Sequence, residues 1–435
     1  MDIEYAVGHE SGDCRNGRRS GNVSPSTIFR PNDLVSHRPV PPSCILREPA
    51  GYRGGSESDR GMTAKLFEPI ELRGLRLPNR VVVAPMTQFS ADDGVAGDWH
   101  LMHLGQYAVS GAALVLTEST YVAASARNAP SCLSLYSHEQ EAAVARIARF
   151  FEAHSDGHFG VQLCHAGRKA SAREPWKGGG PLPVDEGGYE AVAPSTVPLS
   201  DKWPAPRPLS AEAVSEVVRC FVDAARRAER AGVKVIELHG AHGYLIHQFL
   251  SPLTNRRNDE YGGSLANRMR FALDVFEAVR AVWPADLPVG IRVSATDWVT
   301  GGWSVEETVE LARALDARGC DYIHVSSGGL TPAQRIAVGP GYQTGFAEAV
   351  KAAVDMPVIA VGQIGEPRQA EDVLARGQAD MVAMARPMLF NPRWVWHAAR
   401  ELGEPMAYPR QYERGHPDRW GASGINAPGN LIPKE

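Results

Sequence analysis

The sequence predicts an α/β protein, a single (β/α)8 barrel with a long loop after its third strand. Three observations predict it. Eight short runs are almost continuously apolar, as parallel strands buried on both faces must be. Each run is followed by a longer amphipathic stretch. Polar residues collect just past the runs, at the ends that would form one rim of a closed sheet. Eight strand–helix repeats favour one closed barrel over a doubly wound sheet.

In order, the strand candidates are 80–85, 113–117, 159–165, 233–238, 289–294, 322–326, 357–361 and 381–385. The helical stretches are 99–110, 139–153, 211–231, 265–282, 305–318, 345–354, 369–376 and 393–401. Gly111, Gly232, Gly319, Gly377 and Gly403 stand where a helix stop is needed. The Gly/Pro-rich segment 174–208 lies between strand three and its helix, which makes it an active-site loop. Residues 1–61 are rich in Gly, Pro, Ser and Arg, lack Lys and show no apolar periodicity. They are expected to be a disordered extension that the native protein lacks if it starts at Met62. Arg18-Arg19 is followed by no apolar signal core. The barrel is expected over 62–420, and a disordered tail over 421–435.

A hydrophobic content of 43% with 22% charged residues is that of a globular protein in water. The net charge of −5, without a long basic run, argues against a nucleic-acid surface. No apolar stretch reaches the roughly 18 residues of a membrane span. Cys14, Cys44, Cys132, Cys164, Cys220 and Cys320 are scattered without CxxC pairing, so reduced thiols in a cytoplasmic protein are expected.

The chemistry gathers at the strand ends. Strand four opens into His239-Gly240-Ala241-His242-Gly243-Tyr244. Two imidazoles and a phenol there could hold a ligand oxygen and supply a proton. They could equally be structural or, with His247, bind a metal, although no carboxylate or cysteine stands at ligand spacing. Strand one ends in Ala84-Pro85-Met86-Thr87-Gln88-Phe89, strand two in Glu118-Ser119, and strand three carries Gln162 into His165-Ala166-Gly167-Arg168-Lys169. Arg292 lies inside strand five, to face the site or to pair with Glu118 or Asp297. Ser326-Ser327-Gly328-Gly329, Gly362 and Ala385-Arg386 follow strands six, seven and eight, the usual phosphate corner of this barrel.

These residues match a known family. Leu77-Pro78-Asn79-Arg80 with Ala84-Pro85-Met86, Gln162 through Lys169, and the strand-four hexapeptide resemble the Old Yellow Enzyme family of FMN-dependent ene-reductases. So do Asn255-Arg256-Arg257-Asn258-Asp259-Glu260-Tyr261-Gly262-Gly263-Ser264 and Gln411-Tyr412-Glu413-Arg414-Gly415. The resemblance spans about 64–415 and is strongest to the bacterial xenobiotic-reductase or thermophilic-like branch. It implies FMN at the barrel mouth, with Pro85, Met86, Thr87, Ser119, Gln162 and Arg292 around the ring. Gly328, Gly329, Gly362, Ala385 and Arg386 would hold the phosphate, and NADPH or NADH would be the reductant. His239 and His242 would bind the oxygen of an enone or nitro substrate, Tyr244 would be the proton donor, and Phe89 and Lys169 would contact substrate. Arg414 would reach a neighbouring subunit's site in a homodimer or larger oligomer, and no metal is implied. Two positions depart from the branch: Thr87 stands where it usually has Cys, and Phe89 where it usually has Tyr. A flavin-dependent demethylase or dienoyl reductase, or a non-catalytic flavin-binding barrel, are the alternatives within this resemblance.

Overall fold

The computed structural model describes residues 63–417. The expected extension at 1–61 and tail at 421–435 lie outside them. Eight parallel strands close into a barrel in sequence order. They are β1 (Val81–Val83), β2 (Leu114–Tyr121), β3 (His158–Cys164), β4 (Val235–Gly240), β5 (Val289–Ser294), β6 (Ile323–Ser326), β7 (Val358–Ala360) and β8 (Met381–Met384). All eight predicted strands are present. The second runs past its predicted end because a bulge between Leu116 and Ser119 carries the polar run Thr117–Thr120 as strand, not loop.

The shell is built from α1 (Asp98–Ala108), α2 (His138–His154), α3 (Ala211–Arg230), α5 (Leu265–Val282), α6 (Val305–Asp316), α7 (Thr344–Lys351), α8 (Pro367–Ala375) and α10 (Trp394–Leu402). Two short helices, α4 (Leu245–Leu250) and α9 (Arg386–Phe390), follow β4 and β8 directly. Serine caps start α2, α3, α5 and α6, where Ser137, Ser210, Ser264 and Ser304 accept the third backbone N–H. The five glycines predicted as helix stops all adopt left-handed φ, between 71° and 86°.

Before β1, an antiparallel hairpin (Ile70–Leu72 with Leu75–Leu77) forms a feature the sequence reading missed. Its apolar–charged–apolar triplets around Arg73-Gly74 were the available signal. Leu72 and Leu77 pack with Val82, Leu114, Val235, Tyr322, Ile359 and Met381, which fill the barrel interior at one level. Further along the barrel axis the inward residues become Gln162, Glu237, Arg292 and His324 of β3 to β6, all buried. The apolar level supplies the stabilising burial, and the polar level lies toward the C-terminal mouth.

The segment after β3 is tied down by a few polar anchors. Arg168 donates to the carbonyls of Val197, Pro198 and, across the mouth, Leu330. Burial depresses its guanidinium to about 10. From the loop after β4, Asn255 donates to Phe249 and Tyr261 carbonyls, while Arg257 donates to those of Pro194 and Leu209. The Asn255 element therefore shapes the loop after β4.

Candidate active site

β4 delivers His239, 3% exposed, to the mouth. The chain then turns sharply at His242, whose φ is +55°. A bulky residue holds this conformation only when its surroundings over-determine it, and they do. The His242 N–H donates to Ser294 Oγ at 2.9 Å, and its carbonyl accepts from Lys169 Nζ at 2.7 Å. Lys169 also donates to the Gly329 carbonyl at 2.6 Å, so its ammonium joins the β4 and β6 loops. The two loops touch backbone to backbone: a Cβ on Gly243 would lie 2.4 Å from the Gly329 carbonyl oxygen.

The imidazoles form a directed chain. The Ala241 N–H donates to His239 Nδ1 at 3.3 Å, which makes Nε2 the protonated nitrogen of a neutral ring. That Nε2–H faces His242 Nδ1 at 3.4 Å, so His242 also carries its proton on Nε2, 2.8 Å from Ser326 Oγ. Burial and then the Arg292 charge hold both rings well below the usual histidine range. Arg292 is the direct cross-strand neighbour of His239. The pair is thus a neutral N–H donor set. Tyr244 packs edge-on to His239 at 4.7 Å and to Tyr121 at 6.4 Å, with Lys169 Nζ 5.5 Å from its ring centre. His247 is turned away: its Nδ1 accepts from Gly243 and its Nε2 lies 2.9 Å from Asp297. No three-histidine metal site forms, and no metal-ligand cluster occurs among the described residues.

On the opposite side, β1 runs through buried Pro85 and Met86 to half-buried Thr87, then to Phe89 at φ +48°. This loop is held from outside the barrel. The β2 bulge turns Glu118 out through the wall, where it accepts from the Gln88 N–H at 3.0 Å and from His100 at 3.1 Å. Glu118 pairs with His100, and Asp297 with His247 and Ser251. Phe89 meets Trp176 of the long loop edge-on at 5.6 Å.

Inside the barrel, Ser119 Oγ donates to Gln162 Oε1 at 3.1 Å, and Gln162 Nε2 donates to Glu237 at 2.7 Å. The other Glu237 oxygen lies 3.0 Å from His324 Nδ1, and His324 Nε2 is buried without a hydrogen-bond partner.

The phosphate corner is divided. The N–H groups of Gly328 and Gly329 already donate, to the Thr296 carbonyl and to Gln334 Oε1. Gly362 sits at φ +128°, where a Cβ would come within 2.8 Å of Gln343 Nε2. Gln343 bridges Ser327 and the Val361 carbonyl. Half-buried Ala385 and exposed Arg386 follow β8. A polar interior level with an orphan imidazole nitrogen, beside a strand end kept free of side chains and an arginine, fits a flat heterocycle with a phosphate tail. Arg414 is exposed on the 3-10 segment Arg410–Gly415, which packs on α10 through Trp396, Tyr408 and Tyr412.

Sequence reading missed Glu237, His324, Gln343, Ser294 and His100, and placed Ser326 in the phosphate corner, whereas it meets His242. For the first two the signal was there: a charge and an imidazole at inward positions of otherwise apolar strands.

The family description "NADH:flavin oxidoreductase / NADH oxidase family" matches residues 65–404. An NADPH dehydrogenase of Geobacillus sp. (strain WCH70) is 41% identical over 356 residues, 81% of this chain and 99% of that protein. An NADH:flavin oxidoreductase of Gibberella zeae is 42% identical over 370 residues, 81% of this chain and 89% of that protein. The structure of morphinone reductase in complex with tetrahydroNAD superposes with a TM-score of 0.65 at 30% identity, covering 79% of this chain and 92% of that one. The chain is therefore an oxidoreductase belonging to the NADH:flavin oxidoreductase / NADH oxidase family, the Old Yellow Enzyme family.

Proposed function

We propose that this oxidoreductase uses FMN and NAD(P)H to reduce C=C bonds activated by a carbonyl or nitro group. The observation that carries the reading is the neutral, directed His239–His242 pair beside Tyr244 at the mouth. FMN, when bound, supplies the hydride chemistry, recharged by NADPH or NADH. Pro85, Met86, Thr87, Ser119, Gln162 and Arg292 would hold its ring; Gly362, Ala385 and Arg386 would hold its phosphate. Gly328 and Gly329 support that corner through the turn they make, since their N–H groups already donate within the loops.

The pair's work follows from its protonation. A substrate oxygen gains negative charge as the β-carbon accepts hydride, and fixed N–H donors aimed at it lower that barrier. Neutral imidazoles donate without giving the proton away. To reach the oxygen, the Nε2–H of His242 exchanges Ser326 for substrate. Tyr244 is the proton donor to the α-carbon. Lys169 acts on substrate through the His242 carbonyl that it holds, and Phe89 lines the site without a hydroxyl donor. We further place Arg414 at a site shared between subunits of a homo-oligomer in the cytoplasm, with residues 62–420 as the folded unit.

The test is the visible spectrum of purified protein, its anaerobic bleaching by NADPH, and its recovery on adding 2-cyclohexenone. Yellow colour, bleaching and recovery are expected. Protein that stays colourless after incubation with FMN overturns the reading. Bleaching without recovery by any enone or nitroalkene moves the activity to another flavin reductase chemistry.

A further inference from the structure

We infer that Glu237, in the barrel interior below the mouth, is a positioning residue that sets the orientation of the Gln162 amide toward the cofactor. The inference rests on the FMN reading above.

A carboxylate in the middle of an apolar strand is costly unless its oxygens are satisfied. Glu237 is 0% exposed, and its neighbours on the inward face of β4 are Val235 below and His239 above. Register places Ser119, Gln162 and Glu237 side by side on β2, β3 and β4. On β5 the residue opposite Glu237 is Gly290, where the Tyr322 ring fills the room of a side chain. With no side chain there, Glu237 reaches past β5 to His324 on β6.

The hydrogen bonds leave the Gln162 amide one orientation. Its oxygen accepts from Ser119, and one of its two Nε2–H bonds goes to Glu237, which as a carboxylate can only accept. An amide turned over would still suit the Ser119 hydroxyl, which can accept as well as donate, but would set its oxygen against the Glu237 carboxylate, so Glu237 is what fixes the orientation. The fixed amide keeps one N–H and one oxygen lone pair for whatever lies above it. That pairing suits the alternating carbonyl and N–H edge of a flavin pyrimidine ring. Glu237 does not touch that edge; it decides which end of the amide meets it.

Binding of FMN to apoprotein, followed by fluorescence quenching and by the position of the bound flavin's absorption band, tests this in a double-mutant cycle. Glu237→Gln removes the acceptor-only partner at constant shape. It should weaken FMN binding by roughly tenfold or more, as for loss of an orienting charge-assisted hydrogen bond, and move the band. In a Gln162→Ala background, Glu237→Gln should change affinity by less than about twofold, since no amide is left to orient. Glu237→Asp, which keeps the charge but withdraws it by one methylene, should repeat the loss and serves if the Gln variant fails to fold. Wild-type affinity and band position in the folded variants overturn the inference, as does an equal loss with and without the Gln162 side chain. Wild-type protein that binds no FMN overturns the cofactor reading itself.

Discussion

Two histidine arrangements, His100 with Glu118 and His239 with His242, sit on opposite sides of the barrel wall, and their partners separate them. Outside the wall, His100 accepts from the Gly97 N–H and gives its other nitrogen to Glu118, which also takes the Gln88 N–H. At the mouth, His239 and His242 face each other, and the Arg292 and Lys169 charges lower the pKa of both rings. The first arrangement locks a loop and has no donor left over. The second keeps its rings neutral, and its last N–H rests on the Ser326 hydroxyl, which in the proposed function it exchanges for substrate. The residue type is the same; the charge beside it decides whether the ring is locked to a carboxylate or kept as a neutral donor.

Acidification probes the contrast with the largest expected effect. His103 and His165, likewise buried without a carboxylate partner in hydrogen-bond reach, are depressed to about 4, and His239 and His242 also lie well below 6.5. Between the folded values and about 6.5 the unfolded chain binds more protons. Stability is therefore complete above about pH 6.5 and declines as pH falls toward 4, by about 3 kcal/mol at order of magnitude for each of His103 and His165, with His239 and His242 acting in the same direction. Urea unfolding at pH 7 and pH 5 measures it, and equal stability at the two would break the contrast.

Removing the carboxylate of the scaffold pair comes next. Glu118→Leu leaves His100 and the Gln88 N–H buried without their acceptor, an expected loss of roughly 3 kcal/mol or more. The same unfolding experiment reads it, and a loss under about 1 kcal/mol would show that the pair does not hold the loop.

His242→Ala should slow 2-cyclohexenone reduction by about a hundredfold, the usual result of losing one donor to a developing oxyanion. Reduction of the flavin by NADPH should change far less. Stopped-flow traces of the two half-reactions separate them, and equal slowing of both would make His242 a structural residue.

The smallest effect is expected across the mouth. Phe89→Tyr adds a donor where only a ring edge now contacts Trp176, and should lower the KM for cyclic enones by a few-fold, within about 1 kcal/mol. An unchanged KM would mean that this position does not reach substrate.

Much of this arrangement was legible in the chain. Buried parallel strands are apolar on both faces, so all eight stood out, and the order of polar residues after them located the mouth. The hairpin before β1 was passed over because two three-residue strands carry too little periodicity to register. The extension of β2 was missed because Thr117, Glu118, Ser119 and Thr120 look like a loop until a bulge turns alternate side chains through the wall. Lys169 read as a charge facing substrate, yet it lies on two carbonyls whose positions depend on loops 73 and 160 residues away in sequence.

By itself, then, the sequence determined the strand–helix alternation, the barrel and the set of side chains at its rim, because these follow from local periodicity and order along the chain. Tertiary structure alone decided which partner each side chain meets. It gave His100 a carboxylate and His239 a guanidinium, made the Gly328-Gly329 N–H groups internal donors, and set Glu237 under Gln162. Those choices depend on cross-strand register and on loops meeting across the mouth, and no single segment of the chain carries them.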